Sequence, residues 1–252
     1  QAFKRSSGIL RCKHILTNSQ FTKTKIQELD LSLPITIIPF YPSLVSDEIS
    51  LPKVKSSTFH LISITRLSRQ DSYKNIDLVL YALRALKDKG KDLVYYIVGE
   101  GNDKERLEKL AIRLGLGSSV IFTGFVTDMQ LSKYLSMSNL FVLPSETKKM
   151  DNGQWVGEGL GIVYLEALSH GIPCLACDVG GQVDIIIDEV NGFSIRPLKN
   201  LLVEKIQFCM EHKKSYTNLC RNTKFILKDR YNKSNFDTIL LNTIENRRDL
   251  EK

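Results

Sequence analysis

From Phe59 onward the apolar positions change period at regular intervals. Phe59 to Thr65 alternates and is rich in strand-forming residues, Ile76 to Lys87 repeats its apolar positions at helical spacing, and Leu93 to Val98 is a continuous apolar run of strand length. The alternation continues with a helix from about Asp103 to Leu114, a strand over Val120 to Thr123, a helix over Asp128 to Met137 and a strand over Leu140 to Leu143. An apolar helix beginning near Gly161, a strand over Pro173 to Ala176, a short helix around Val183 to Ile187 and a strand near Phe193 complete the series. Strands alternating with helices predict an α/β fold: a doubly wound parallel sheet covered on both faces, with ligands held beyond the carboxyl ends of the strands.

The flanks follow other patterns. A basic lead-in reaches a short strand in His14-Ile-Leu-Thr-Asn-Ser and a helix capped by Asn18 or Ser19; Ile35 to Pro42 reads as a buried β segment broken by prolines. Ser46 to Thr58 is polar and aperiodic, as a linker would be. After Pro197 the pattern is helical, from Leu198 to about His212, through a middle segment, to an amphipathic stretch over Asn235 to Glu245. The expected organisation is therefore a leading segment (1–45), a linker (46–58), a ligand-binding α/β domain (59–197) and C-terminal helices (198–252).

Composition adds constraints. The 252 residues are 42% hydrophobic and 25% charged, with a net charge of +7 concentrated in residues 1–50 and beyond Arg196. This suits an anionic ligand or surface. Zinc-ligand spacing, aromatic ribonucleoprotein motifs and a basic recognition helix are missing, so nucleic acid is not the expected partner. Cys12, Cys174, Cys177, Cys209 and Cys220 are odd in number and scattered; Cys174 and Cys177 fall in a strand-like apolar run and read as small buried residues, which implies a reducing compartment. No stretch has the length of a bilayer span or reads as a signal peptide, and the opening Gln1 suggests a piece of a longer polypeptide.

The candidate chemistry centres on Gly157 to Pro173, G-E-G-L-G-I-V-Y-L-E-A-L-S-H-G-I-P. An ionisable Glu166 within an apolar helix is costly unless partnered. The amides that open this helix, near Leu160, Gly161 and Ile162, follow a glycine-bearing loop and attract phosphate. Glu158 lies in that loop, about two turns from Glu166. A purely structural reading also fits, with Glu158 complementing the helix start and Glu166 pairing with His170.

Arg66 and Lys74 bracket the loop between the first strand and first helix of the series, and two such cations can grip a diphosphate from both sides. Val98-Gly-Glu-Gly-Asn lacks the third glycine of a dinucleotide fingerprint, since Lys104 stands there, and reads as a tight turn. Lys148 to Val156, with the only tryptophan, fits either a lid or an ordinary surface loop. The four histidines show no ligand spacing.

Glu158 to Pro173 closely resembles the E-x7-E motif of the retaining glycosyltransferases of family 4, in the form E-G-x-G-I-V-x-L-E-A-x-x-x-G-x-P. Arg66 and Lys74 resemble that family's phosphate-binding Arg and Lys, in a loop longer than the commonest form and with Asn75 in place of the usual glycine. Thr123-Gly-Phe-Val-Thr-Asp resembles its base-holding loop, which makes Gly124, Phe125 and Val126 candidates for the base pocket. The resemblance covers roughly Phe59 to Pro197. It implies a Rossmann-like sheet forming the C-terminal, donor-binding half of a GT-B glycosyltransferase, with residues 1–45 the tail of an N-terminal acceptor domain. Glu166 would bind the ribose diol, Glu158 the sugar hydroxyls, and Arg66, Lys74 and the loop amides the diphosphate. The partners implied are a nucleotide-diphosphate sugar and a saccharide or lipid-linked acceptor, as in cell-surface polysaccharide synthesis, with no cofactor or metal. The basic flanks and cysteine pattern fit a cytoplasmic protein, peripheral to the inner face of a membrane where a lipid-linked acceptor would lie. A nucleotide-sugar 2-epimerase of GT-B fold and a non-catalytic nucleotide-sugar-binding module are the alternatives.

Overall fold

The structure, a computed structural model, describes residues 12–29, 32–42, 58–150, 153 and 155–250. Its centre is a six-stranded, all-parallel sheet built from β3 (Phe59–Ile64), β4 (Leu93–Val98), β5 (Val120–Gly124), β6 (Leu140–Leu143), β9 (Cys174–Cys177) and β10 (Gly192–Ile195), in the order β10-β9-β6-β3-β4-β5. The chain runs outward from β3 to β5, then crosses back to lay β6 on the other side of β3. That reversal makes the β3/β6 seam a topological switch point, where doubly wound sheets bind ligands. Strands β6 and β9 are buried along their whole length, as expected of continuous apolar runs covered on both faces.

The helices follow from their sequences. In α2 (Ile76–Asp88) the buried residues Ile76, Val79, Leu80, Leu83 and Leu86 form one stripe against the sheet. α3 (Lys104–Arg113) covers the same layer through Leu107, Leu110 and Ala111. α4 (Asp128–Met137) opens with a capping box, in which the Thr127 side chain accepts from the Gln130 amide while the Gln130 side chain accepts from the Thr127 amide. α5 (Ile162–Ser169) buries Tyr164, Leu165, Ala167 and Leu168 but leaves Ile162 44% exposed, so it is not enclosed on every side. α6 (Lys199–Glu211), α7 (Lys213–Asp229) and α8 (Lys233–Leu250) close the chain. The middle segment is thus a full helix. Tyr216 on it donates to the Asn139 carbonyl at the start of β6.

Two expectations change. The helix around Val183 to Ile187 is instead a 3₁₀ turn over Gly181–Asp184, because the Gln182 side chain is drawn inward to the carbonyls of Ser145, Cys177 and Val179. The segment Ile35 to Pro42 is strand only over β2 (Ile35–Ile37), and of its residues only Ile38 and Pro42 are buried. β2 pairs in parallel with β1 (Ile15–Thr17) in a separate two-stranded sheet, with α1 (Gln20–Gln27) between them in sequence and Ser19 as its cap. The expected linker, apart from Thr58, lies outside the described residues. Cys174, Cys177, Cys209 and Cys220 are buried free thiols. Among the described residues no helix is long and apolar enough to cross a membrane.

Candidate functional site

A cavity of about 770 Å³ opens beyond the carboxyl ends of β3, β4 and β5, bounded on its other side by the loop that leads into α5. Its size is that of an ordinary small-molecule site. Arg66, Lys74, Glu158, Leu160, Gly161, Ile162, Glu166, Phe125 and Val126 all line it, although they come from three separate stretches of chain. Gly124 does not. It ends β5 with φ +70° and accepts the Gly99 amide at 3.0 Å, so its carbonyl is committed to the bridge between two strand ends.

The cationic wall is set by the loop after β3. Residues Arg69–Lys74 coil into a 3₁₀ turn capped by Ser68, and the turn buries Asp71, whose carboxylate accepts from Arg66 Nε at 2.6 Å. Asn75 follows with φ 57° and ψ 36°, a left-handed conformation that glycine adopts freely and asparagine tolerates. This is why Asn75 can stand where the resembling family has glycine. Its side-chain amide donates to the Pro144 carbonyl at 2.9 Å, tying this loop to the one after β6. Lys74 then reaches Glu158, Nζ to Oε1 3.5 Å, with both side chains largely buried. The same carboxylate oxygen accepts from Ser145 Oγ at 3.2 Å. Tyr73 beside them has its phenol pushed up to about 12, first by burial and then by the charges of Glu158 and Asp71.

The amide wall is seated on an aromatic ring. Tyr164 is fully buried and its hydroxyl donates to the Leu143 carbonyl at 2.5 Å. Gly161 has φ +87°, and a Cβ there would lie 2.5 Å from the Tyr164 ring. Only glycine lets the backbone rest so close. Among the described residues, the amides of Gly159, Leu160, Gly161, Ile162 and Val163 have no hydrogen-bond partner. At the far end Glu166 has its carboxyl raised above the ordinary value, mainly by burial and further by Asp128. The Glu166–His170 pair of the purely structural reading does not form among the described residues: His170 instead meets the Glu166 backbone carbonyl through Nδ1 and Ser132 through Nε2. Among the described residues no cation or donor meets the Glu166 carboxylate, and it faces the cavity.

Sequence reasoning missed part of the lining. Gly99 and Glu100 form a wall of the cavity as well as a turn, and Asp128, Asn18 and Leu131 also border it. Gly99, at φ +131°, would place a Cβ 2.0 Å from the Thr65 carbonyl oxygen, so glycine there brings the β4 turn against the end of β3. Among the described residues no group of three histidines, cysteines or carboxylates could hold a metal ion.

Comparison with known proteins shows the family and the fold. The profile of the family described as "Glycosyl transferases group 1" matches residues 53–225. A GDP-mannose-dependent alpha-(1-6)-phosphatidylinositol monomannoside mannosyltransferase of Mycolicibacterium smegmatis is 36% identical over 126 residues, 50% of this chain and 32% of that protein. An uncharacterized glycosyltransferase of Haemophilus influenzae is 30% identical over 187 residues, 74% of this chain and 48% of that protein. The chain thus spans about a third to a half of the length of these relatives. In fold it is similar to Anabaena HepE, solved with UDP and glucose, with a TM-score of 0.74 at 20% identity over 93% of this chain and 63% of that one. It is also similar to the pneumococcal O-GlcNAc transferase GtfA, solved with UDP and GlcNAc, with a TM-score of 0.76 at 19% identity over 95% of this chain and 46% of that one. The profile match over residues 53–225, more than half of the chain, places it in the glycosyl transferases group 1 family.

Proposed function

We propose that this chain binds a nucleotide-diphosphate sugar and, within a longer protein, serves transfer of the sugar to a saccharide or lipid-linked acceptor with retention of anomeric configuration. The observation that carries the reading is the convergence on one cavity of two cations with a run of amides and a carboxylate that have no partner among the described residues. Glu166 accepts the two ribose hydroxyls, which answers the cost of its burial. Phe125 and Val126 flank the base. Arg66, Lys74 and the amides of Leu160, Gly161 and Ile162 hold the diphosphate and stabilise the negative charge that grows on it as the glycosidic bond breaks. Glu158, held by Lys74 and Ser145, accepts from donor-sugar hydroxyls. Departure of the nucleotide is thereby assisted by charge rather than by a protonating acid, and attack comes from the face the leaving group vacates.

The two cations and the amides supply positive charge on the diphosphate from the chain itself, so no metal is required for donor binding. Isothermal titration with UDP, GDP and ADP sugars, with and without EDTA, tests the reading. One nucleotide series is expected to bind, equally in both conditions. Absence of binding by every series would overturn the assignment.

A further inference from the structure

The loop that carries the amide wall is held from outside the α/β domain. The Gly159 carbonyl oxygen accepts from the Ser19 hydroxyl at 2.5 Å and from the Thr22 hydroxyl at 3.2 Å, across 140 and 137 positions of sequence. Both lone pairs of one oxygen are therefore in use. Ser19 is buried, and it also caps α1 by accepting the Thr22 amide at 3.0 Å. Alongside, the first amide of α1, that of Gln20, donates to the Asp184 carboxylate at 2.5 Å. The preceding peptide is held from the other side, by the Gly181 amide on the Glu158 carbonyl at 2.8 Å. Gly181 itself has no room for a side chain, since a Cβ there would stand 2.0 Å from the Gly159 oxygen.

A trans peptide points its C=O and its N–H in opposite directions. Fixing the Gly159 oxygen toward α1 therefore fixes the Leu160 N–H toward the other side. We propose that Ser19, seconded by Thr22, is a positioning residue for the diphosphate: its hydroxyl sets the Gly159–Leu160 peptide so that the Leu160 amide is presented to the phosphate oxygens. The inference rests on the donor-site reading above. It makes the N-terminal segment a working part of the donor site, because the loop acquires its binding orientation only when α1 is docked on it. Movement of that segment away from the sheet would release the peptide and weaken the diphosphate site.

The test separates positioning from capping. Glycine is nearly as good a cap as serine but has no hydroxyl, whereas threonine keeps both functions. UDP, GDP, ADP and inorganic pyrophosphate are titrated calorimetrically into the wild-type chain and into Ser19→Gly, Ser19→Thr and Thr22→Val, with melting temperature followed in parallel. The expected result is a roughly fivefold or larger loss of diphosphate affinity in Ser19→Gly, retention within about twofold in Ser19→Thr, and a smaller loss in Thr22→Val, as for removal of one or two hydrogen bonds that orient a binding group. Wild type that binds no probe overturns the donor-site reading itself. Wild type that binds while Ser19→Gly binds equally well overturns this inference alone, as does an equal loss in Ser19→Gly and Ser19→Thr. Thr22→Val, which leaves the Ser19 cap in place, keeps the proposal open to refutation should Ser19→Gly not fold; unchanged affinity there would then count against it.

Discussion

Arg66 and Asp71 are joined through Nε and Oδ2 at 2.6 Å, with the carboxylate buried and the guanidinium 73% exposed. The bond uses the edge of the guanidinium nearest the backbone and leaves its terminal nitrogens for a ligand. Asp71→Asn is expected to leave the fold intact but to loosen Arg66, weakening nucleoside diphosphate binding several-fold. Arg66→Ala should weaken it roughly ten- to hundredfold, the range for losing a charged, forked contact. Calorimetric titration of both variants and of the double variant checks this, and the two effects should not add, because the Asp71 carboxylate holds the Arg66 guanidinium directly.

Lys74 and Glu158 depend on one another. Lys74→Met leaves a largely buried carboxylate with Ser145 alone, and a loss of about 1–3 kcal/mol of stability is expected. Adding Glu158→Gln should recover part of that loss. Urea denaturation of the two single variants and the double variant reads the coupling directly, and full additivity would mean that the pair is not a pair.

Glu166 gives a pH signature with a defined sign. Its carboxyl holds a proton to higher pH in the folded chain than at its ordinary value of 4.5, chiefly because of burial. The folded state therefore binds more protons, and this residue weakens the fold as pH rises from 4.5 through the raised value. Glu166→Gln should melt higher than wild type at neutral pH, with the difference closing as pH falls below the ordinary value. Its affinity for nucleotide should nonetheless drop by about five- to tenfold through weaker acceptance of the ribose hydroxyls. Melting curves at pH 4 to 8 and titrations at pH 7.5 test the opposed effects.

Gly99→Ala tests the close approach of the β4 turn to β3. The new methyl would meet the Thr65 carbonyl at 2.0 Å on a backbone with φ +131°. A destabilisation of about 2–4 kcal/mol is expected from the clash and the strained dihedral together, measurable by urea denaturation.

The strands were legible because each is a short apolar run or alternation bounded by turn residues, and observed boundaries such as Leu93–Val98 and Leu140–Leu143 coincide with the expected ones. Most of the candidate site was legible for a similar reason: the Gly157 to Pro173 stretch carries its carboxylates, amides and glycine seat within a single local segment. What escaped was non-local. Nothing around Ser19 reveals that its hydroxyl meets a carbonyl 140 residues away. Asp71 looks like any loop aspartate until the 3₁₀ turn buries it. Gly124 stands outside the cavity lining, with its carbonyl joined to Gly99 at the neighbouring strand end, a pairing that no local pattern shows. The turn at Gly181 defeated periodicity because one inward-facing glutamine, rather than an apolar stripe, organises it.

The reversal of strand order at β3/β6 divides the pocket into two banks. The bank carrying Phe125 and Val126 hangs from strands on one side of the seam, and the bank carrying Glu158 and Gly161 is joined to strands on the other. In the proposed function, contacts to the heterocycle and contacts to the sugar are thus made by different loops, anchored on opposite sides of that seam. On that reading either loop can change its ligand preference while the other keeps its geometry.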